Sequence, residues 1–401
     1  MPPVASSSLG SLFKTSSGGT PLKARQEYYV GGEVPWLLSG EVAQGEIWAA
    51  TNFITQAGLQ NSSAKIFPKD TVLVAMYGAT AGEVGILRFE AATNQAVCGI
   101  FPNDQFLPEY LYYVLLSKKD ELVGKAAGNA QPNISQGKIR DTPVPLTDKA
   151  EQSRIVAILD EAFEGIATAR TNTEKNVQNA RELFRTRLRS IFGSVNGRPL
   201  ADGWHETQIK ELGIVQSGAG FPMAVQGLIE GGIPFYKVSD MNIPGNEREM
   251  IYENNSITEA TRRTLGASLF PSGSVIFPKI GGAIATNKKR IVTQDCCVDN
   301  NVMGVVPKVE RVDPEFLYYF FLGHDLREFA NEAHLPSIRK TVVEEWKLSV
   351  PHRLDEQRRI VSELESLEEQ VQSLERIYAA KLDALDELKK SLLHQAFNDL
   401  L

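Results

Sequence analysis

The sequence predicts an α+β protein made of one module used twice, each copy closing on a long helix. Three observations predict it. Short phrases recur in the same order in both halves at a spacing of about 200 residues, the mark of an internal repeat. Within each copy, brief β-branched runs alternate with Gly, Pro and Asn, which suits strands and turns. Each copy then ends in an unbroken stripe of apolar residues three or four apart, the pattern of a helix with one buried face.

Size and composition frame this reading. A chain of 401 residues exceeds what one hydrophobic core normally supports, so two domains are expected. Its 42% apolar and 23% charged residues are those of an ordinary globular protein. The opening "MPPVASSSLG" has neither the basic nor the apolar region of a signal peptide. The longest apolar stretch, "FLYYFFLG" (Phe316 to Gly323), is far below the roughly 20 residues of a membrane helix, so a cytoplasmic protein is expected. Three cysteines, Cys98, Cys296 and Cys297, show no CxxC or CxxH spacing, which argues against a zinc site and a disulfide framework; no metal is expected. The net charge of −7 argues against bulk electrostatic coating of nucleic acid, while leaving room for local basic loops.

The repeated phrases run through the whole chain. "SSGGTP" (Ser16 to Pro21) matches "SGAGFP" (Ser217 to Pro222), and "VPWLLSGE" (Val34 to Glu41) matches "IPFYKVSD" (Ile233 to Asp240). "FPKDTVLVAMYGATAG" (Phe67 to Gly82) matches "FPSGSVIFPKIGGAIA" (Phe270 to Ala285). "TNQAVCGIFP" (Thr93 to Pro102) and "DNNVMGVVP" (Asp299 to Pro307) follow. "PEYLYYVLL" (Pro108 to Leu116) and "PEFLYYFFL" (Pro314 to Leu322) then read as short amphipathic helices with Pro in the first turn.

Finally "EQSRIVAIL" (Glu151 to Leu159) and "EQRRIVSEL" (Glu356 to Leu364) open the long helices. Four segments result: an α+β domain over 1–148, a helix over 149–193, a second α+β domain over 194–350, and a second helix over 351–401. The first seam comprises Ile155, Leu159, Phe163, Ile166, Val177, Phe184 and Leu188. The second comprises Ile360, Leu364, Leu367, Val371, Leu374, Leu382, Leu385 and Leu392, with Leu388 in the same stripe. A coiled coil is the natural reading. Glu151 and Glu356 fall in the first turn, where acids complement the helix dipole. The first helix ends near Gly193, where "GSVNGRP" supplies turn residues. A helix of about 40 residues spans about 60 Å. Antiparallel return of the second helix along the first would bury both seams and give the chain a pseudo-two-fold axis.

At this point the residues resemble a known family, the specificity subunits of Type I restriction-modification systems. The resemblance covers nearly the whole chain. It rests on the junctions "TPVPLTDKAEQSRIVAILDE" (Thr142 to Glu161) and "LSVPHRLDEQRRIVSELES" (Leu348 to Ser366), and on the strand, Gly-rich turn, strand element "VLVAMYGATAGEVGIL" (Val72 to Leu87). Departures are small. Val144 splits Pro143 from Pro145, His352 follows Pro351 where a second proline is usual, and Glu83 follows Gly82 where many members carry a lysine. The resemblance implies a non-catalytic subunit with two target-recognition domains, each reading one half of an asymmetric bipartite sequence in double-stranded DNA. It also implies two modification (methyltransferase) subunits that bind S-adenosylmethionine, restriction (motor and nuclease) subunits that use ATP and Mg, and no cofactor on this chain.

Candidate DNA contacts follow from loop chemistry. "ATNKKRIV" carries Lys288, Lys289 and Arg290 beside the "KIGGA" turn with Lys279; Gly281 and Gly282 would admit phosphate close to the backbone. The same cluster also suits a solvated hairpin tip. In the first copy the matching turn offers Tyr77, Gly78 and Thr80. "QPNISQGKIR" (Gln131 to Arg140) and "LPSIRKTVV" (Leu335 to Val343) each hold a basic pair, Lys138 with Arg140 and Arg339 with Lys340, suited to phosphate, a partner protein or water alike. Lys237 lies in the "IPFYKVSD" phrase. The last helix, Asp355 to Leu401, is rich in acid and suits protein contact, whereas Arg181, Arg185, Arg187 and Arg189 leave room for phosphate or a partner.

Enzymatic readings lack their motifs: there is no P-loop, no adenine-methyltransferase "(D/N)PP(Y/F)", and no Rossmann "GxGxxG" after a strand. The rival to DNA reading is a coiled-coil scaffold whose two α+β modules bind proteins, which the acidic balance would suit.

Overall fold

The structure is a computed structural model that describes residues 5–124, 133–193, 202–223, 226–229 and 231–397. The first four residues, Gln131 and Pro132 at the head of the first basic segment, and the turn expected over Ser194 to Pro199 lie outside the described residues. The chain forms two compact units: Met1–Glu174 with Ala379–Leu401, and Lys175–Tyr378.

The first unit is built on a five-stranded sheet of β1 (Thr15–Ser17), β2 (Glu46–Ile47), β3 (Thr71–Ala75), β4 (Val84–Leu87) and β5 (Val97–Ile100), in the order β1-β5-β3-β4-β2. The second repeats it with β6 (Gly213–Ser217), β7 (Glu249–Met250), β8 (Val275–Pro278), β9 (Arg290–Val292) and β10 (Val302–Pro307), in the order β6-β10-β8-β9-β7. The repeat in sequence is thus a repeat in topology, including the parallel pairing of β2 with β4 and of β7 with β9. The central strands β3 and β8 are buried throughout, and so read as apolar runs with no alternation.

Two glycines explain close packing in both sheets. A Cβ on Gly99 in β5 would lie 2.4 Å from the Phe67 ring, and one on Gly304 in β10 would lie 2.9 Å from the Phe270 ring. The phenylalanine of each "FP" phrase therefore seats on a strand that has no side chain at that point.

Helices α1 (Pro108–Ser117) and α3 (Pro314–Leu322) start on the expected prolines and bury Tyr110, Tyr113, Phe316, Tyr319 and Phe320. Their first-turn acids meet arginines of different origin. Arg88, after β4, bonds Glu109 at 2.6 Å, and Arg248, before β7, bonds Glu315 at 2.7 Å. The two arginines leave neighbouring strands, yet answer the same helix position.

A two-stranded ladder ties the ends of each α+β domain together: Ser6–Ser8 with Pro143–Pro145, and Trp204–Gln208 with Lys347–Pro351. From these ladders the chain enters the long helices α2 (Lys149–Phe192) and α4 (Leu354–Phe397). In the first unit Ile155 and Leu159 near the start of α2 share a core with Leu393 and Ala396 near the end of α4. In the second, Leu188 and Phe192 near the end of α2 share a core with Ile360 and Leu364 near the start of α4. The helices run antiparallel in each unit, as the seams predict.

The seam itself needs correction. Ile166 and Val371 are buried, while Phe163, Val177, Phe184, Leu367, Leu382, Leu385 and Leu392 are half-buried. Leu374 is 38% exposed and Leu388 is exposed as well, and near the end of α4 the buried position passes to Leu393. Where one helix covers another without a sheet above, the buried stripe narrows and flanking leucines face solvent.

The arginine run of α2 is also reassigned. Arg181 pairs with Glu375 at 2.5 Å and Arg187 with Glu363, while Arg185 and Arg189 pair with Glu182. Arg181 and Arg187 thus meet acids of α4, in exposed pairs that contribute little energy each but match the helices in register, while Arg185 and Arg189 share one acid of α2 itself and stay exposed.

The twice-written "EQ" has a more specific structural meaning than the dipole argument for its glutamate. Glu151 and Glu356 bond Arg154 and Arg359, one turn along their own helices. The glutamines are fully buried. Gln152 Nε2 donates to the carbonyls of Gln105 and Thr147 at 3.0 and 2.9 Å, and its Oε1 accepts from the Leu107 N–H at 2.8 Å. Gln357 Nε2 donates to the carbonyls of Arg311 and Pro351 at 3.2 and 3.1 Å, and its Oε1 accepts from the Asp313 N–H at 2.8 Å. Each long helix is clamped by one side chain to the segment that leads into α1 or α3.

Candidate nucleic-acid interface

In the second unit the β8–β9 connection forms the site. Lys279 and Ile280 leave β8, and a 3-10 turn follows over Gly281–Thr286. Gly281 has φ +67 and Asn287, which ends the turn, has φ +54. The left-handed region suits Gly and Asn because other side chains clash there. The segment before Arg339 lies along this turn: Gly281 N–H donates to the Pro336 carbonyl at 2.7 Å and Ile338 N–H to the Lys279 carbonyl at 2.9 Å. Asn331 closes that segment into a loop, its Oδ1 accepting from Ser337 N–H at 2.9 Å and its N–H donating to the Ser337 carbonyl at 3.1 Å. The half-buried Lys279 and the exposed Gly282 thereby lie beside the segment that leads to the exposed Arg339 and Lys340. Gly281 is buried with its N–H committed to Pro336, and does not offer its backbone to phosphate as expected. Lys340 keeps a pair with Glu344 at 3.5 Å.

The first unit repeats the construction with different side chains. Gly78 (φ +77) opens a 3-10 turn over Gly78–Thr80, and Tyr77 pairs with Asn133 in an isolated bridge. Ile134 N–H donates to the Met76 carbonyl at 2.9 Å, so the "NISQGKIR" segment lies beside the turn as its counterpart does. Ser135 caps the helix Gln136–Arg140. Tyr77 is 40% exposed, with Gly78 and Thr80 half-buried beside it. Glu83 bonds Lys119 at 2.6 Å, so the position that departs from the family carries an ion pair within the domain. Arg140 is exposed with its stem against Gly10, while Lys138 is half-buried.

Two residues of the basic cluster do not belong to the surface. Lys289 is 1% exposed, its Nζ donating to Asn287 Oδ1 and the His324 carbonyl at 2.6 Å each. Arg290 is buried and donates to the carbonyls of Lys289 and Met241 at 2.8 and 2.9 Å. Lys289 just precedes β9 and Arg290 opens it, and both side chains turn into the domain, where they donate to backbone carbonyls. Lys288 alone of the three reaches outward, bonding Asn242. Lys237 bonds Gln226 Oε1 at 2.9 Å.

Burial pushes the Lys289 ammonium from its ordinary 10.5 down to about 7, against the pull of Asp325 and Glu328. Between these values the unfolded chain holds a proton that the folded unit has released, so stability of the second unit rises with pH from about 7 to 10.5. Urea unfolding at pH 7, 8 and 9 is expected to show a rising midpoint, and Lys289→Met to lose that part of the slope. Equal slopes in the two proteins would show that Lys289 keeps an ordinary proton affinity.

One positioning pair escaped the sequence reading. Glu41 and Asp240 end matching phrases and are both buried. Glu41 Oε2 accepts from Leu38 N–H at 2.8 Å, and Asp240 Oδ2 accepts from Lys237 N–H at 2.7 Å. Asp240 therefore holds the backbone from which Lys237 projects. The signal was an acid at the same place in two otherwise different phrases.

Among the described residues no group of three metal-ligating side chains is found, and no helix is long and apolar enough to cross a membrane.

The profile of the family described as the Type I restriction modification DNA specificity domain matches residues 2–178 and again 201–380. The MjaIX Type I restriction enzyme specificity subunit of Methanocaldococcus jannaschii is 24% identical over 357 residues, 85% of this chain and 81% of that protein. The EcoR124I/EcoR124II specificity subunit of Escherichia coli is 26% identical over 157 residues, 38% of this chain and 39% of that one. In fold, the chain resembles the HsdS subunit from Thermoanaerobacter tengcongensis with a TM-score of 0.64 at 19% identity, covering 100% of this chain and 98% of that one. A chain solved in work on assembly and conformational transition of the type I R-M system gives a TM-score of 0.81 at 19% identity, with 100% and 99% covered.

Proposed function

Because the chain belongs to the Type I restriction modification DNA specificity domain family, we propose that it is the DNA-reading specificity subunit of such a system. Each unit reads one half of a bipartite target in double-stranded DNA. The observation that carries this reading is the same construction found twice: a turn opened by a glycine of positive φ, held by backbone hydrogen bonds against a segment that ends in a basic pair. Backbone free of side chains, at Gly78 and at Gly282, meets phosphate, and neighbouring Lys or Arg meets phosphate or a base edge. The side chains on the two turns differ, which suits an asymmetric target.

The chain performs no chemistry in this role. Two methyltransferase subunits carry S-adenosylmethionine and methylate adenine, and restriction subunits supply ATP- and Mg-dependent motor and nuclease action, all in the cytoplasm. The helices α2 and α4, each continuous from one unit into the other, set the half-site spacing and offer the acidic outer surface of α4 to the methyltransferase.

Co-expression with its partner methyltransferase is expected to direct adenine methylation to one bipartite motif, read by modification-sensitive genome sequencing. Persistence of every methylated motif after deletion of this chain would overturn the assignment.

A further inference from the structure

Leu335 stands out on the surface of the second unit. It is 64% exposed, at the crest of the loop that Asn331 closes onto Ser337. Single exposed leucines are common on protein surfaces. This one differs in being held: the residues just after it pair with the edge of the turn, the Pro336 carbonyl accepting from Gly281 N–H and Ile338 N–H donating to the Lys279 carbonyl. A Cβ on Gly281 would lie 3.2 Å from Leu335 Cδ1, so one methyl rests on the turn and the remainder faces outward. Lys279 and the exposed Arg339 lie on the two backbone segments that meet here, Lys340 is paired with Glu344, and the exposed Glu332 lies in the same loop. A single fixed apolar group standing among charged and polar neighbours is too small to be the apolar patch of a protein interface. It suits a polyanion that displays an isolated apolar group, and in the major groove that group is the C5 methyl of thymine. The first unit presents an exposed large side chain, Tyr77, at the same turn.

Resting on the DNA-reading role proposed above, we infer that Leu335 is a specificity-determining residue that contacts a thymine methyl in the half-site read by the second unit. Leucine has no donor or acceptor and reads nothing else on a base edge. With one methyl seated on Gly281, the side chain is not free to enter between stacked bases as a wedge.

The test uses the full chain with its methyltransferase and duplexes bearing the methylated motif, in which each thymine of that half-site, on either strand, is replaced in turn by deoxyuridine. One position is expected to weaken binding about fourfold, the worth of roughly one buried methyl group. Leu335→Ala should bind the thymine duplex about fourfold more weakly and no longer distinguish thymine from uracil there, while Leu335→Met keeps the distinction. Because Leu335 is exposed, an unchanged urea midpoint is expected for both variants. A half-site insensitive to uracil throughout, or a Leu335→Ala protein that keeps the discrimination, overturns the inference while leaving DNA reading intact. A Leu335→Ala effect on DNA bending without one on thymine discrimination also overturns it. Failure of the wild-type complex to prefer the motif at all would overturn the DNA-reading role itself.

Discussion

Replacing Gln357 with leucine is expected to lower the stability of the second unit by about 3 kcal/mol, because one backbone N–H and two backbone carbonyls, that of Pro351 buried and the others partly so, lose their partner at once. Leucine matches the volume of glutamine closely enough that the loss is one of hydrogen bonds, with little cavity created. For a unit of this size the change corresponds to a fall in Tm of about 6–12 °C. Gln152→Leu should do the same in the first unit. The two variants therefore separate the units: each should shift the transition of its own unit in a thermal melt and leave the other in place. An unchanged transition in both variants would show that the clamp contributes nothing and that the apolar neighbours alone hold the joint. Substituting the adjacent Glu151 or Glu356 with alanine should have a far smaller effect, since those carboxylates sit in exposed pairs with Arg154 and Arg359.

The chemistry of the clamp leads to the second large effect. Exchanging Met1 to Pro145 for the matching segment of a different recognition domain is expected to change one half of the methylated motif completely, leaving the other half and the spacing as they were. Gln152 touches only backbone atoms of Gln105, Leu107 and Thr147. A clamp that recognises backbone accepts any domain that brings its chain past the same points and keeps the apolar face of α1, Tyr110 and Tyr113, on which Phe397 and Phe163 pack. Both strands of the closing ladder, Ser6–Ser8 and Pro143–Pro145, move together in the exchange, so no strand is left without its partner. Modification-sensitive sequencing of a strain carrying the chimera reads the outcome. Loss of both half-sites would show that the units do not read DNA independently.

The repeat, the α+β character, the two long helices and their joint were all legible before any coordinate, because each is written in local pattern. Strands punctuated by Gly and Pro, a Pro-led aromatic helix and a three-four apolar stripe are properties of neighbouring residues. The two Gly turns and the two basic segments were legible as separate pieces for the same reason. That they lie side by side was not, since Tyr77 and Asn133, or Gly281 and Pro336, are brought together by backbone hydrogen bonds that leave no trace in composition.

The errors share one cause. "NKKR" reads as a single cluster of cations, yet β9 begins within it, and the domain buries Lys289 and Arg290 while Lys288 stays outside. Arg181 and Arg187 of α2 read as available, yet α4 lies against them and supplies Glu375 and Glu363. Leu374 and Leu388 keep perfect helical spacing, yet too little surface faces them to cover them. Periodicity settles which elements form, because it acts through near neighbours along the chain. Which charged group meets solvent, a carboxylate or a buried carbonyl depends on segments far apart in sequence. Only the packed chain assigns it, through the cost of leaving any buried polar group without a partner.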